Sequence, residues 1–121
     1  KSNHYDFVKA DPQALERIMN NLVDNAFKYS EKGSIIEIST ITEYQHVKVM
    51  VSDSGVGVSD EDKSHIFDRF YRTASARASD NKGSGLGLAI VKNLTNSLNG
   101  EVGVESKNDA GSIFWFTLPI N

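Results

Sequence analysis

Two amides and an ammonium group recur at helical spacing in the first quarter of the chain, at Asn21, Asn25 and Lys28. At 100° per residue, their side chains point within roughly 60° of one another, beside an apolar stripe. Amide oxygens are hard, neutral ligands that suit Mg²⁺, and a lysine binds phosphate as a point charge. The spacing by itself is more typical of a solvated helix face. Whether the stripe binds a ligand therefore depends on the other segments of the chain.

Two glycine-containing segments have chemistry that complements this stripe. Residues 53–57 (DSGVG) follow a predicted strand, where Gly55 and Gly57 let the backbone approach a planar ligand and the Asp53 carboxylate can accept from an exocyclic amine. Residues 83–88 (GSGLGL) open a predicted helix, whose free N–H groups and dipole favour a phosphate. Taken singly, the first is typical of an Asp-Gly turn, and the second lacks a P-loop lysine and a preceding strand.

Hydrophobic periodicity predicts the helices that position these residues. Asp11 and Pro12 form an N-cap and first-turn pair, and apolar residues then recur at helical spacing as far as about Tyr29. A second amphipathic helix is expected at residues 86–98. It ends at the Asn-Gly pair of residues 99–100, which is typical of a C-terminal cap.

Alternating segments predict the sheet. We expect a short edge strand, an antiparallel hairpin of two strands and two closing strands, at residues 4–9, 34–43, 47–51, 101–105 and 113–118. With both helices on one face, the expected fold class is α+β, a two-layer α/β sandwich with a mixed, mostly antiparallel sheet.

Between residues 52 and 87 the pattern breaks, and only one short apolar cluster interrupts a polar stretch. A connection of that length without regular structure is usually functional. We expect a flexible lid at about residues 59–84, because residues 73–82 carry no large apolar side chain to hold them down.

Composition narrows the class of protein. A chain of 121 residues with 39% hydrophobic and 24% charged residues predicts a single globular domain over residues 1–121. A net charge of −3 with scattered basic residues argues against nucleic acid as a partner, and no apolar run is long enough to cross a bilayer. The absence of cysteine fits a reducing compartment. We expect a cytoplasmic, monomeric domain without membrane contact.

Together, in this order and spacing, these segments resemble the catalytic ATP-binding domain of bacterial sensor histidine kinases. That superfamily also holds type II topoisomerase ATPases, ninety-kilodalton chaperones and mismatch-repair ATPases. The resemblance covers nearly the whole chain and implies a Bergerat ATP-binding fold. The matching segments are an N box, two glycine boxes, a phenylalanine box and a closing strand, at residues 21–29 (NLVDNAFKY), 53–57, 83–88, 66–72 (IFDRFYR) and 111–119.

The resemblance implies roles for the helix and lid residues. Asn25 would coordinate Mg²⁺ with support from Asn21, Lys28 would reach phosphate, and Tyr29 would pack beside the adenine. Arg72 would meet the terminal phosphate from the lid. Asn25, Lys28 and Arg72 would therefore be the catalytic residues.

Further nucleotide contacts are implied by the same resemblance. Asp53 would accept a hydrogen bond from the adenine amine. Phe67 and Phe70 are expected to anchor the lid rather than touch nucleotide, with core packing as the alternative. The other implied cofactor-binding residues are Gly55, Gly57, Gly83, Gly85, Leu86, Gly87, Leu88 and Thr117.

One departure from the hydrolytic relatives bears on the reaction. Those relatives carry a glutamate where this chain has Asn21, and an amide cannot take a proton at neutral pH. That favours transfer of the γ-phosphoryl group over hydrolysis.

The family's acceptor histidine lies in a preceding helical hairpin, and His4, His46 and His65 lack its sequence context.

We therefore expect a protein-histidine kinase catalytic domain that uses ATP and Mg²⁺ and is incomplete without its phosphoacceptor domain. Its direct partner would be the histidine-containing dimerisation domain of the parent kinase, which itself can be membrane-anchored. A response regulator would be served indirectly. An ATPase of the same superfamily, a serine kinase acting on a protein antagonist and a non-catalytic nucleotide-binding module stay open as alternatives.

Overall fold

The computed structural model describes residues 11–30, 33–55, 57–71, 86–106 and 111–120. The edge strand expected at residues 4–9 and the lid residues 72–84 lie outside these ranges. Within them the helices and strands, in chain order, are α1 (Pro12–Tyr29), β1 (Glu37–Glu43), β2 (His46–Asp53), α2 (Asp60–Lys63), α3 (Gly87–Ser97), β3 (Glu101–Ser106) and β4 (Ser112–Pro119).

Helix α1 begins where the sequence predicts. The Asp11 side chain accepts a hydrogen bond from the backbone N–H two residues on (3.1 Å), and Pro12 occupies the first turn, where its missing N–H costs nothing. Ile18, Leu22 and Ala26 are separated by one turn each and are almost completely buried. The predicted apolar stripe is therefore the face that α1 packs on the core.

The described strands form one antiparallel sheet in the order β1-β2-β4-β3. Strand β1 begins at Glu37 rather than at residue 34, because pairing with β2 begins there; Ile35 and Ile36 precede the strand. The other described strands lie within about two residues of their expected bounds.

The core lies between one face of this sheet and the long helices. In β4, Phe114, Phe116 and Leu118 point inward at every second position, as expected for a strand with one covered face. They form one apolar cluster with buried residues of α1 and α3, among them Leu22 and Val91. The expected two-layer α+β sandwich is confirmed. In the part of the chain that the structure describes, no helix has the length and apolarity to span a membrane.

The end of α3 is fixed by its cap. Asn99 has a positive φ of 66°, and the backbone N–H of Gly100 returns to the Thr95 carbonyl (2.9 Å), as the Asn-Gly pair predicts. A Cβ at Gly100 would lie 1.9 Å from the Thr117 backbone oxygen. A glycine there is what lets the end of α3 lie directly against β4.

The first part of the predicted lid, residues 59–71, contains α2 and a series of turns. Ile66 is buried in the core, and the Phe67 ring meets Phe114 edge-on with ring centres 6.4 Å apart. Phe70 is 63% exposed and has a φ of 65°. Of the two phenylalanines expected to anchor this segment, Phe67 alone packs on the core.

Candidate functional site

A buried carboxylate lies at the C-terminal end of β2 with hydrogen-bond donors around it. We call Asp53, Gly55 and Ser112 the floor of the candidate site. Asp53 is 1% exposed. One carboxylate oxygen accepts from the Gly55 backbone N–H (2.9 Å) and the other from the Ser112 hydroxyl (3.1 Å). A buried carboxylate is tolerated only when hydrogen-bonded, and these donors hold it in one orientation. A carboxylate has about four lone-pair sites, so it can accept several hydrogen bonds at once.

Close backbone approach at two glycines shapes the floor. Gly111, immediately before β4, has a φ of 104°, and a Cβ there would lie 2.1 Å from the Asp53 backbone oxygen. Gly57 has a φ of 78°, and its Cβ would lie 3.2 Å from the Gly111 oxygen. Both φ values favour glycine. A side chain at Gly111 would block the contact between the segment after β2 and the start of β4, and one at Gly57 would be crowded there and strained by its φ.

The polar stripe of α1, which we call the rim (Asn21, Asn25 and Lys28), meets the start of α3. The Asn21 Nδ2 donates to the Arg17 carbonyl one turn back (3.0 Å), and its Oδ1 lies 3.3 Å from where a Cβ on Gly87 would stand. The first N–H groups of a helix carry the positive end of its dipole. Two segments that are far apart in sequence thus adjoin at a helix N-terminus.

Asn25 contains a polar atom that the protein leaves unsatisfied. Its side-chain Nδ2 is buried and has no hydrogen-bond partner within the described ranges. Such a group costs about 1–3 kcal/mol, and in native structures it usually marks a place for water, an ion or a ligand. Lys28, the third rim residue, is exposed and accessible to an anion. Among the residues that the structure describes, no group of three or more His, Cys, Asp or Glu side chains is arranged to hold a metal ion.

Thr117, one of the implied nucleotide contacts, lies away from the floor. It is five residues along β4 from Ser112, roughly 17 Å at the rise of a strand. It also points to the opposite face of the sheet, where its hydroxyl accepts from the Glu101 backbone N–H (3.2 Å). A shift in strand register by two residues would leave Thr117 on this opposite face, because side chains alternate along a strand.

The remaining implied site residues divide into two groups. Leu88 packs partly buried against the core, beside the buried Ala89 of α3. Leu86 is the N-cap residue of α3 and supplies no side-chain cap. The Tyr29 side chain and residues Arg72, Gly83 and Gly85 lie outside the described part of the chain.

Ser112 is the floor residue that the sequence reasoning missed. A signal for it existed, because Ser112 follows a glycine and keeps the same parity as the inward-pointing Phe114 and Phe116. Its contact with Asp53 depends on the pairing of β2 with β4, in which these two residues stand opposite one another. Sequence periodicity contains no information on that partner.

Comparison with known proteins places this geometry in a family. Residues 10–121 match the family described as histidine kinase-, DNA gyrase B-, and HSP90-like ATPase. The chain is 40% identical over 112 residues to the sensor-like histidine kinase SenX3 of Mycobacterium tuberculosis, which covers 93% of this chain and 27% of SenX3. The chain therefore spans about a quarter of that curated relative.

Two solved structures are similar to this chain over almost its full length. A mycobacterial sensor histidine kinase, MprB, matches with a TM-score of 0.85 and 32% identity, covering 94% of this chain and 77% of the MprB chain. Full-length ShkA in complex with AMPPNP matches with a TM-score of 0.77 and 32% identity, covering 96% of this chain and 23% of that chain.

Proposed function

Since the chain belongs to the histidine kinase-, DNA gyrase B- and HSP90-like ATPase family, we propose that it is the catalytic domain of a sensor histidine kinase. It would bind Mg-ATP and donate the γ-phosphoryl group to a histidine on a separate helical domain. The observation that carries the proposal is the floor: a carboxylate that is 1% exposed, held by two donors at the end of a strand.

On the floor, Asp53 would accept a hydrogen bond from the adenine amine. The Gly55 N–H and the Ser112 hydroxyl orient the carboxylate before the nucleotide arrives, so binding need not reorganise it. Gly55 and Gly57 would let the backbone lie against the base. This assigns the base end of the nucleotide to the start of β4 and the end of β2.

At the rim, Asn25 would hold Mg²⁺ through its amide oxygen, with Asn21 in support. The residues fit a magnesium ion already bound to phosphate, because neutral oxygen ligands leave the ion's charge for the phosphates. The buried, unsatisfied nitrogen of Asn25 is a donor, so it supports an acceptor such as a phosphate oxygen beside the ion. When bound, the ion would supply neutralisation of the charge on the phosphates.

The phosphates would lie between the rim and the N-terminus of α3. Lys28 would bind them as a point charge, and the α3 backbone N–H groups would contact them through Gly87 and its neighbours. From the family resemblance, Tyr29 would pack beside the adenine and Arg72 would meet the terminal phosphate. The other residues assigned to phosphate and lid contacts are Gly83, Gly85, Leu86 and Leu88.

Transfer is favoured over hydrolysis by the chemistry of Asn21. An amide has no lone pair basic enough to take a proton from water at neutral pH. The Asn21 Nδ2 also already donates to the Arg17 carbonyl, which fixes the orientation of the amide (3.0 Å). ATP would therefore be held intact until a histidine nucleophile is presented, and positioning with charge stabilisation would account for the rate.

The test is to mix the chain with Mg-ATP and the helical hairpin domain of its parent kinase, and to measure acid-labile, alkali-stable phosphate on the hairpin. We expect transfer that is lost when the hairpin histidine is changed to Gln. Asn25→Ala should reduce transfer sharply, whereas Asn20→Ala, an exposed residue of the same helix, should not. ATP binding accompanied by phosphate release, with no acid-labile product, would instead support the ATPase alternative.

A further inference from the structure

Three residues on three neighbouring strands form one row across the sheet. Asp53 at the end of β2 stands opposite Ser112 at the start of β4, and Ser112 stands opposite Ser106 at the end of β3. Paired residues of adjacent strands point to the same face. Ser106 is therefore at the outer end of the row that begins with the buried carboxylate of the floor.

The segment after β2 crosses the ends of β4 and β3 along this row. Gly57 lies close to Gly111: a Cβ added at Gly57 would stand 3.2 Å from the Gly111 backbone oxygen. One residue later, the Val58 carbonyl accepts a hydrogen bond from the Ser106 hydroxyl (2.9 Å), across 48 residues of sequence. The segment then enters α2, with the Ser59 side chain as its N-cap.

We infer that Ser106 is a positioning residue for the nucleotide site, acting through Val58 and Gly57 on the base-binding floor. The inference rests on the proposed function, and it concerns a residue outside the boxes by which the family is recognised.

The physical reason is the flexibility of the segment that Ser106 holds. It contains Gly55 and Gly57, and glycines lose more conformational freedom on ordering than any other residue. The Asp53 carboxylate fixes its first part through the Gly55 N–H, and the Ser106 hydroxyl fixes its last part through the Val58 carbonyl. Without the second bond, more of the ordering entropy would fall on nucleotide binding, because the floor would be less preformed.

The experiment is calorimetric titration of ADP and ATP, each with and without Mg²⁺, into the 121-residue chain and its variants. One hydrogen bond in a partly solvated place changes an equilibrium by roughly three-fold, so Ser106→Ala should weaken both nucleotides by about that factor. The Mg²⁺-dependent gain in affinity should stay the same, because Ser106 acts on the floor and not on the rim. Ser106→Thr keeps the hydroxyl on a strand and should restore wild-type affinity.

The matched control is Ser97→Ala, which removes a hydroxyl that likewise donates to a backbone carbonyl (Leu94, 2.7 Å), at the C-terminal end of α3. It should cost similar stability and leave nucleotide affinity unchanged. The inference would be overturned if Ser106→Ala bound nucleotide as tightly as wild type. It would also be overturned if Ser106→Thr bound nucleotide as weakly as Ser106→Ala. A magnesium gain that falls with Ser106→Ala would also overturn it. Wild-type protein that binds neither nucleotide would overturn the proposed function and this inference together.

Discussion

The floor and the rim of the site differ in how far the protein satisfies their polar groups by itself. On the floor, the buried Asp53 carboxylate receives two hydrogen bonds from the protein. At the rim, the Asn25 Nδ2 is buried without a partner in the described ranges, and Lys28 is exposed. The floor, the proposed base end, is preformed, whereas the rim, the proposed metal and phosphate end, keeps polar groups for a ligand.

This difference separates two contributions to binding. A preformed floor stabilises the fold as well as the complex, so damage to it should lower both stability and affinity. The unsatisfied Asn25 nitrogen at the rim instead costs free energy until it is occupied. A change at Asn25 should therefore alter ligand and metal binding while leaving the free protein intact or slightly more stable.

The largest effect is expected at the floor, from Gly111→Ala. A Cβ there would stand 2.1 Å from the Asp53 oxygen at a φ of 104°, so overpacking and strain together should lower the free energy of unfolding by about 3 kcal/mol. Gly33→Ala is the matched control, since Gly33 has a φ of 87° but nothing within 4 Å. Denaturant unfolding should show a cost of about 1 kcal/mol there. Equal losses at the two glycines would contradict a closely packed floor.

Next in size is Asp53→Ala, which tests whether the floor selects the base. A buried hydrogen bond to a charged group is worth about 1.5 to 3 kcal/mol, so ATP affinity should fall at least roughly ten-fold. Guanine presents an acceptor where adenine presents an amine, so wild type should prefer ATP to GTP by a similar factor and the variant should lose that preference. Titration of both nucleotides measures this. Asp24→Ala, on the exposed side of α1, should change neither affinity. If the wild-type protein bound GTP as tightly as ATP, the proposed placement of adenine against this floor would be wrong.

A smaller and more selective effect is expected from Asn25→Ala at the rim. The gain in ATP affinity on adding Mg²⁺ should disappear, a change of about five-fold or more for the loss of one ligand to a charged group. The free energy of unfolding without nucleotide should not decrease, because the variant removes an unsatisfied buried amide. Asn20→Ala serves as the control on the same helix. A variant that keeps the full magnesium gain would show that Asn25 is not a metal ligand.

The smallest effect is expected from Thr95→Val, which asks whether every unsatisfied polar atom marks a ligand site. Thr95 is 0% exposed in α3 and its hydroxyl lacks a partner in the described ranges, yet it lies beside Gly100 at the capped end of the helix. Replacing this hydroxyl by a methyl group should raise the free energy of unfolding by up to about 1 kcal/mol and leave ATP affinity unchanged. Thr40→Val on the exposed strand β1 should be neutral. If Thr95→Val bound nucleotide more weakly than wild type, the unsatisfied Thr95 hydroxyl would be a functional group as well.

Much of the fold was predictable because local rules decide it. The Asp-Pro start of α1, the Asn-Gly end of α3 and the alternation in β4 all depend on residues within a few positions of one another. The α+β class follows from the same periodicities. The start of β1 was misplaced, since Ile35 and Ile36 are β-branched residues typical of strands but precede the pairing with β2.

The sequence by itself determined the residue types of the site and the spacing of the rim on α1, since helical geometry fixes which side chains share a face. Only the tertiary structure decided which residues meet on the floor. Ser112 faces Asp53 and Ser106 reaches Val58 because β2, β4 and β3 lie side by side in one register. Thr117, two residues from the end of the closing-strand segment (residues 111–119), faces away from Ser112 because side chains alternate along β4. Strand order and register follow from burial of the whole core, and no local pattern encodes them.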